Sequence, residues 1–212
     1  MIYNPLILPN LPIACFKGKN MKKVVIATHN KHKIEEFKRI LEPMGISLIT
    51  ADLPEVEETG STFQENALLK AESAFKVTGL PSVADDSGLE VDALNGEPGV
   101  YSARYAGLDG DDKANNKKLL KNLENVKDED RTARFVCTIA YVDENISFTV
   151  RGTCEGKIAH KESGVNGFGY DPLFITSKGC FGELSAQDKD SVSHRGNALI
   201  KFKEKLEELK LC

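Results

Sequence analysis

Ser82-Val83-Ala84-Asp85-Asp86-Ser87-Gly88-Leu89-Glu90-Val91 is the stretch around which the 212 residues arrange themselves. A short apolar run delivers two adjacent carboxylates and a hydroxyl to a glycine, and a second apolar run leaves. The pattern predicts a strand that ends at the acids, an Asp-Asp-Ser-Gly turn, and a second strand over Leu89–Asp92. Paired acids at a strand end suit a hard divalent cation, because Mg2+ takes a few carboxylate oxygens and fills its other positions with water and phosphate. Either acid also has the chemistry of a general base. Like-charge repulsion from Asp85 would raise the Asp86 pKa, and a bound metal would lower it.

Upstream, Val24 to Ala27 reads as a buried strand that ends at Thr28-His29-Asn30-Lys31-His32-Lys33. Ile34, Phe37, Ile40 and Leu41 then fall on one helical face, and Pro43 with Gly45 ends the pattern. A helix N-terminus with Lys31 and Lys33 at its start suits phosphate; the lysines oppose the helix dipole, so something else accounts for them. Ile46–Thr50 predicts another strand. Glu55, Glu57 and Glu58 precede a capping box, Thr62 with Glu65, that opens a helix to about Val77, stopped by Gly79 and Pro81. Glu65 has a structural job in that box. Glu58 has none, and facing Asp85 and Asp86 it would complete a metal site.

Downstream, Asn95-Gly96 supplies a turn, and Asp111 or Asp112 caps a helix carrying Leu119, Leu120 and Leu123. Arg131–Val142 and Ile146–Cys154 read as an antiparallel pair around Asp143-Glu144-Asn145. Ser163 to Pro172 is too glycine-rich for core; its glycines allow close backbone approach to a ligand, and Phe168 and Tyr170 offer ring faces to a base. Ser193-His194-Arg195-Gly196 precedes a final helix and presents several fixed donors.

Composition sets limits. An apolar fraction of 41% fits a globular protein, and a formal charge of -4 argues against a broad nucleic-acid-binding face while leaving room for a small polyanion. The five cysteines, Cys15, Cys137, Cys154, Cys180 and Cys212, have no Cys-x-x-Cys spacing, so neither a disulfide framework nor a zinc site is expected. A reducing, cytoplasmic location follows as an expectation. No run approaches the roughly 20 apolar residues of a membrane span. Residues 1–20 are broken by Pro5, Pro9 and Pro12 and lack a basic start, so they read as an appended extension rather than a signal peptide. The expected domain covers 21–212.

Taken together, Thr28-His29-Asn30-x-x-Lys33, Glu58-Thr59-Gly60-x-Thr62-Phe63-x-Glu65-Asn66-Ala67, Ala84-Asp85-Asp86-Ser87-Gly88, Gly99-Val100-Tyr101-Ser102-Ala103-Arg104, Gly167-Phe168-Gly169-Tyr170-Asp171-Pro172 and Ser193-His194-Arg195-Gly196 resemble the inosine/xanthosine triphosphate pyrophosphatase family. The resemblance implies an α/β fold of two lobes around a long mixed β-sheet flanked by helices, with the active-site cleft between the lobes. It implies a Mg2+-dependent homodimer that converts ITP, dITP and XTP to monophosphate and pyrophosphate, cleansing the nucleotide pool; oxygen-ligand chemistry makes Mn2+ the expected substitute. It makes Asp86 the proton acceptor and a metal contact with Glu58. Thr28, His29, Asn30, Lys31, His32 and Lys33 bind the triphosphate with Ser87 and Lys189, while Phe168, Gly169, Tyr170 and Asp171, with His194 and Arg195, hold the purine. The departures are His29, where Gly or Asn is usual, and the extension before Met21.

Two other readings remain at this stage: a nucleotide-binding regulator that does not turn over, and a septum-inhibition-type pyrophosphatase acting on modified pyrimidine triphosphates. The intact acids disfavour the first, and the Phe168–Asp171 and Ser193–Arg195 blocks disfavour the second.

Overall fold

A computed structural model of the chain describes residues 22–108 and 110–211, so the expected N-terminal extension lies outside the described residues. The elements are β1 (Lys22–Ile26), α1 (Lys31–Leu41), β2 (Ile46–Ile49), α2 (Phe63–Thr78), β3 (Ser82–Val91), α3 (Asp112–Asn122), β4 (Thr132–Val142), β5 (Ser147–Ile158), β6 (Phe174–Thr176), β7 (Gly179–Cys180), α4 (Ala186–Asp190) and α5 (His194–Glu208). They build one mixed sheet in the order β2-β1-β3-β4-β5-β6-β7. β1 runs parallel to β2 and β3, and every later pairing is antiparallel.

β3 corrects the expected turn. It is one continuous strand, paired with β4 from Ser82↔Val142 to Val91↔Ala133, and the acids sit in its middle. Gly88 is there for a close approach: a Cβ at this position would lie 2.4 Å from Ser102 Oγ and 2.5 Å from Gly99 O, both in the 3-10 helix Gly99–Arg104. Ser102 Oγ also accepts from Leu89 N at 2.9 Å, fastening that helix to the strand. The turn itself comes later, at Asn95 and Gly96, whose φ values are 54° and 90°.

Side chains on a strand alternate between faces, and the core divides accordingly. Val24, Ile26, Val83 and Ile139 pack with Phe37 and Leu41 of α1 and Leu199 and Phe202 of α5. Val25, Ala27, Ala84 and Ala140 pack with Ala67, Ala71 and Ala74 of α2, small residues that let this helix lie close to the sheet. A third cluster, around Leu89, Leu119, Leu123, Phe135, Phe174 and Phe181, forms the core at the other end. α2 begins with the expected capping box, Thr62 Oγ1 accepting from Glu65 N while the Glu65 carboxylate accepts from Thr62 N.

Candidate active site

The alternation that sorts the core also separates the two acids. Asp85 shares the face of Val83, under α1 and α5, and Asp86 shares the face of Ala84, under α2. Asp86 accepts from Lys70 Nζ at 3.0 Å and from Asn66 Nδ2 at 3.3 Å. The same Lys70 Nζ lies 2.6 Å from Glu58 Oε1, and Arg104 Nη1 stands 3.6 Å from the other Glu58 oxygen. Burial pushes the Asp86 carboxyl above its ordinary value; Lys70 opposes this and Glu58 reinforces it. Glu58 itself is held below the usual range, because Lys70 outweighs its burial. The rise comes from desolvation and from Glu58 rather than from Asp85, which the strand turns to the opposite face.

Asp85 is fully buried among cations. Arg195 Nη2 and Nε donate to Oδ2 at 2.9 and 3.3 Å, Lys33 Nζ lies 3.2 Å away, and the Ser87 hydroxyl donates at 3.2 Å. Its burial is outweighed by Lys33 and Arg195, which hold it far below the ordinary carboxylate range. Arg195 also pairs with Glu36 through Nη1 and donates to Ser87 Oγ at 2.8 Å. Lys189 joins Glu36 at 3.1 Å to Asp171 at 2.6 Å, and Asp171 Oδ2 accepts from Phe168 N at 2.8 Å.

Members of both networks line one cleft of about 890 Å³, a size that accommodates a nucleotide; Asp85 and Glu36 lie behind its wall. Thr28, His29, Asn30, Lys33, Glu58, Asp86 and Ser87 line one part; Phe168, Gly169, Tyr170, Asp171, Lys189, His194 and Arg195 line another. Several placements differ from the expected roles. Lys31 is exposed and is not among the lining residues. His32, also exposed and outside the lining, stacks parallel to Phe168 with ring centroids 5.2 Å apart. Lys189 stands 4.8 Å over the same Phe168 ring. Tyr170 is built into the second core, its hydroxyl donating to Ser102 O at 2.8 Å, while the Phe168 ring is contacted by His32 and Lys189. His194 is buried against Phe135 at 4.6 Å, and burial together with Arg195 pushes its pKa well below 6.5, so the imidazole is neutral.

Lys70 and Glu36 stand outside the motif blocks, and Asn66 lies within one without an expected role. Asn66 and Lys70 stand on the helical face that carries Phe63, Ala67, Ala71 and Ala74, and a lysine inside an otherwise small, apolar stripe was the available signal. Glu36 shows no such break in its pattern.

The described residues contain no group of three or more His, Cys, Asp or Glu placed to hold a metal. Glu58 and Asp86 nevertheless converge on one ammonium group, Lys70 Nζ, and so lie within reach of a common cation. Two carboxylates are what Mg2+ takes from protein when substrate phosphates complete its shell. The donor set fits that ion.

A mixed α/β sheet whose central strand presents a carboxylate and flanking lysines to a cleft walled by an aromatic ring defines a protein class built to receive a nucleotide's phosphates and base. Within that class, the chain belongs to the Ham1 family, whose sequence model matches residues 24–205. A dITP/XTP pyrophosphatase of Bacillus licheniformis is 50% identical over 195 residues, covering 89% of this chain and 100% of its own length. One from Geobacter sulfurreducens is 51% identical over 193 residues, 88% of this chain and 97% of its own. The solved Ham1 protein of Staphylococcus aureus superposes with a TM-score of 0.79 at 46% identity, covering 88% of this chain and 99% of its own, and that of Coxiella burnetii with 0.81 at 43%, covering 89% and 100%. The fold and family implied by the six motif blocks are borne out.

Proposed function

We propose that this chain hydrolyses dITP, XTP and ITP to the monophosphate and pyrophosphate, as a Mg2+-dependent, homodimeric, cytoplasmic enzyme. The observation that carries the reading is the pairing, in one cleft, of a raised carboxylate, Asp86, beside Lys70 with a lysine-capped ring, Phe168 beneath Lys189. Relatives about half identical over nearly the whole chain bear the name dITP/XTP pyrophosphatase.

In the proposed reaction a water oxygen bonds to the α-phosphorus, the bond from that phosphorus to the bridging oxygen breaks, and pyrophosphate leaves. Asp86 accepts the water's proton; its raised pKa makes it a stronger base than an ordinary aspartate. Lys33 and Lys70 face the charge that grows on the phosphate oxygens, from fixed positions that need no reorganisation. A Mg2+ held by Glu58 and Asp86 would add charge neutralisation there. Arg195, expected to read the purine, is bound to Asp85, Glu36 and Ser87, and its part is to fix the site's shape.

Base selection falls to Lys189. Its ammonium has three donors, Glu36 and Asp171 take two, and one remains for a base seated beside Phe168. Hypoxanthine and xanthine present an acceptor oxygen at C6, where adenine presents an amino donor. An unpaired buried donor costs about 1 to 3 kcal/mol, roughly five- to 150-fold against ATP. The test is pyrophosphate release from dITP, XTP, ITP, GTP and ATP side by side. The reading expects kcat/KM for the first three to exceed that for ATP by this margin, and equal values for ITP and ATP would overturn it.

A further inference from the structure

α3 carries polar side chains whose partners lie on the loops that wall the cleft. Asn115 Nδ2 donates to Ala103 O at 3.0 Å and its Oδ1 accepts from Ala106 N at 2.7 Å, holding the segment that follows the Gly99–Arg104 helix. One helical turn apart, Asp112 and Asn116 hold Gly169. Asp112 Oδ2 accepts from Gly169 N at 2.7 Å, and Asn116 Nδ2 donates to Gly169 O at 3.2 Å and to Glu162 Oε1 at 3.0 Å. Both polar groups of the glycine that follows Phe168 are therefore fixed from one helix. Gly169 has φ 60°, a conformation other residues rarely adopt, so the loop's path depends on these ties.

Asn116 is 3% exposed, yet its Oδ1 has no partner among the described residues. Turning the amide over would set that oxygen against the Gly169 carbonyl and the Glu162 carboxylate, so its orientation is dictated by the two acceptors. A buried amide with an unmet carbonyl is a poor choice for stability alone and calls for another reason.

We propose that Asp112 and Asn116 are positioning residues for base recognition: by clamping Gly169 they set the height of the Phe168 ring against Lys189. This rests on the function proposed above. The phosphate side is held separately, by Lys33 on Asp85 and Lys70 on Glu58 and Asp86, so loss of the clamp weakens ligands that carry a base and spares those that carry only phosphates.

Asn116→Asp tests this, because it keeps the volume and replaces the two donated hydrogens with an oxygen facing two acceptors. KM and kcat for dITP, Ki for inorganic tripolyphosphate as a baseless competitor, and Tm are measured on the full chain. The expected result is a KM raised about five- to tenfold, as for one lost hydrogen bond, with Ki for tripolyphosphate unchanged. Asp112→Ala should behave the same way, and Asp112→Asn, which retains an acceptor oxygen, should stay near wild type; this pair decides the matter if Asn116→Asp loses its fold. KM unchanged in folded variants, or KM and Ki rising together, would overturn the clamp while wild-type turnover of dITP kept the functional reading intact. Wild-type protein that releases no pyrophosphate from dITP or XTP would overturn both.

Discussion

Asp85 and Asp86 are consecutive on β3, yet the two faces of that strand keep them in opposite states. Under α1 and α5, Asp85 is enclosed by Arg195, Lys33 and Ser87, with a pKa driven far down. Under α2, Asp86 has the one ammonium of Lys70, which it shares with Glu58, and its pKa is driven up. Burial acts on both, so the number and sign of close charges decide between them. The lesson concerns division of labour: a carboxylate surrounded by cations is too weak a base to move a proton but a strong tie between elements, whereas a carboxylate short of cations can accept one.

The comparison breaks most visibly at Asp86. Asp86→Asn should lower kcat/KM for dITP by about 100- to 10,000-fold, the usual worth of a general base, while Tm holds, because a partly uncompensated buried charge has been removed; a Tm fall as large as the activity loss would put both acids in the same role. Asp85→Asn should do the reverse, costing about 3 to 5 kcal/mol by removing the buried carboxylate that Arg195 and Lys33 share, read in urea unfolding. The pH sign agrees: a depressed carboxyl stabilises above its unfolded pKa of about 3.9, and that stability drains as pH falls below it towards the folded value. Wild type should therefore lose stability in that window, and a folded Asp85→Asn variant should lose less. Phe168→Ala, on the base side, should raise KM for dITP with about 1 to 3 kcal/mol of lost stacking and leave the pH profile unmoved.

Much of this was legible in the residues. The capped helix after Glu58 and the glycine-rich loop around Phe168 each have local causes, and both fall where their patterns place them. What escaped depended on partners distant in sequence. Gly88 read as a turn because a glycine after Asp-Asp-Ser usually is one; its real cause is the backbone of Gly99 and the hydroxyl of Ser102 pressing on the strand. The repulsion predicted between Asp85 and Asp86 ignored the pleat, which becomes visible only once the stretch is known to be one strand. Arg195 offered donors on paper, but Glu36, at the other end of the chain, takes part of them. His32 belonged by position with the phosphate-binding loop and by contact with Phe168.

The pH dependence of kcat/KM for dITP in wild type and Lys70→Met tests the division most directly. A base must be ionised to work, so activity should fall as pH drops through its apparent pKa, which burial and Glu58 raise and bound Mg2+ lowers. Removing Lys70, whose charge opposes that rise, should move the acid limb to still higher pH. A limb that stays in place in Lys70→Met at the same Mg2+ concentration would contradict the assignment of Asp86 as the base.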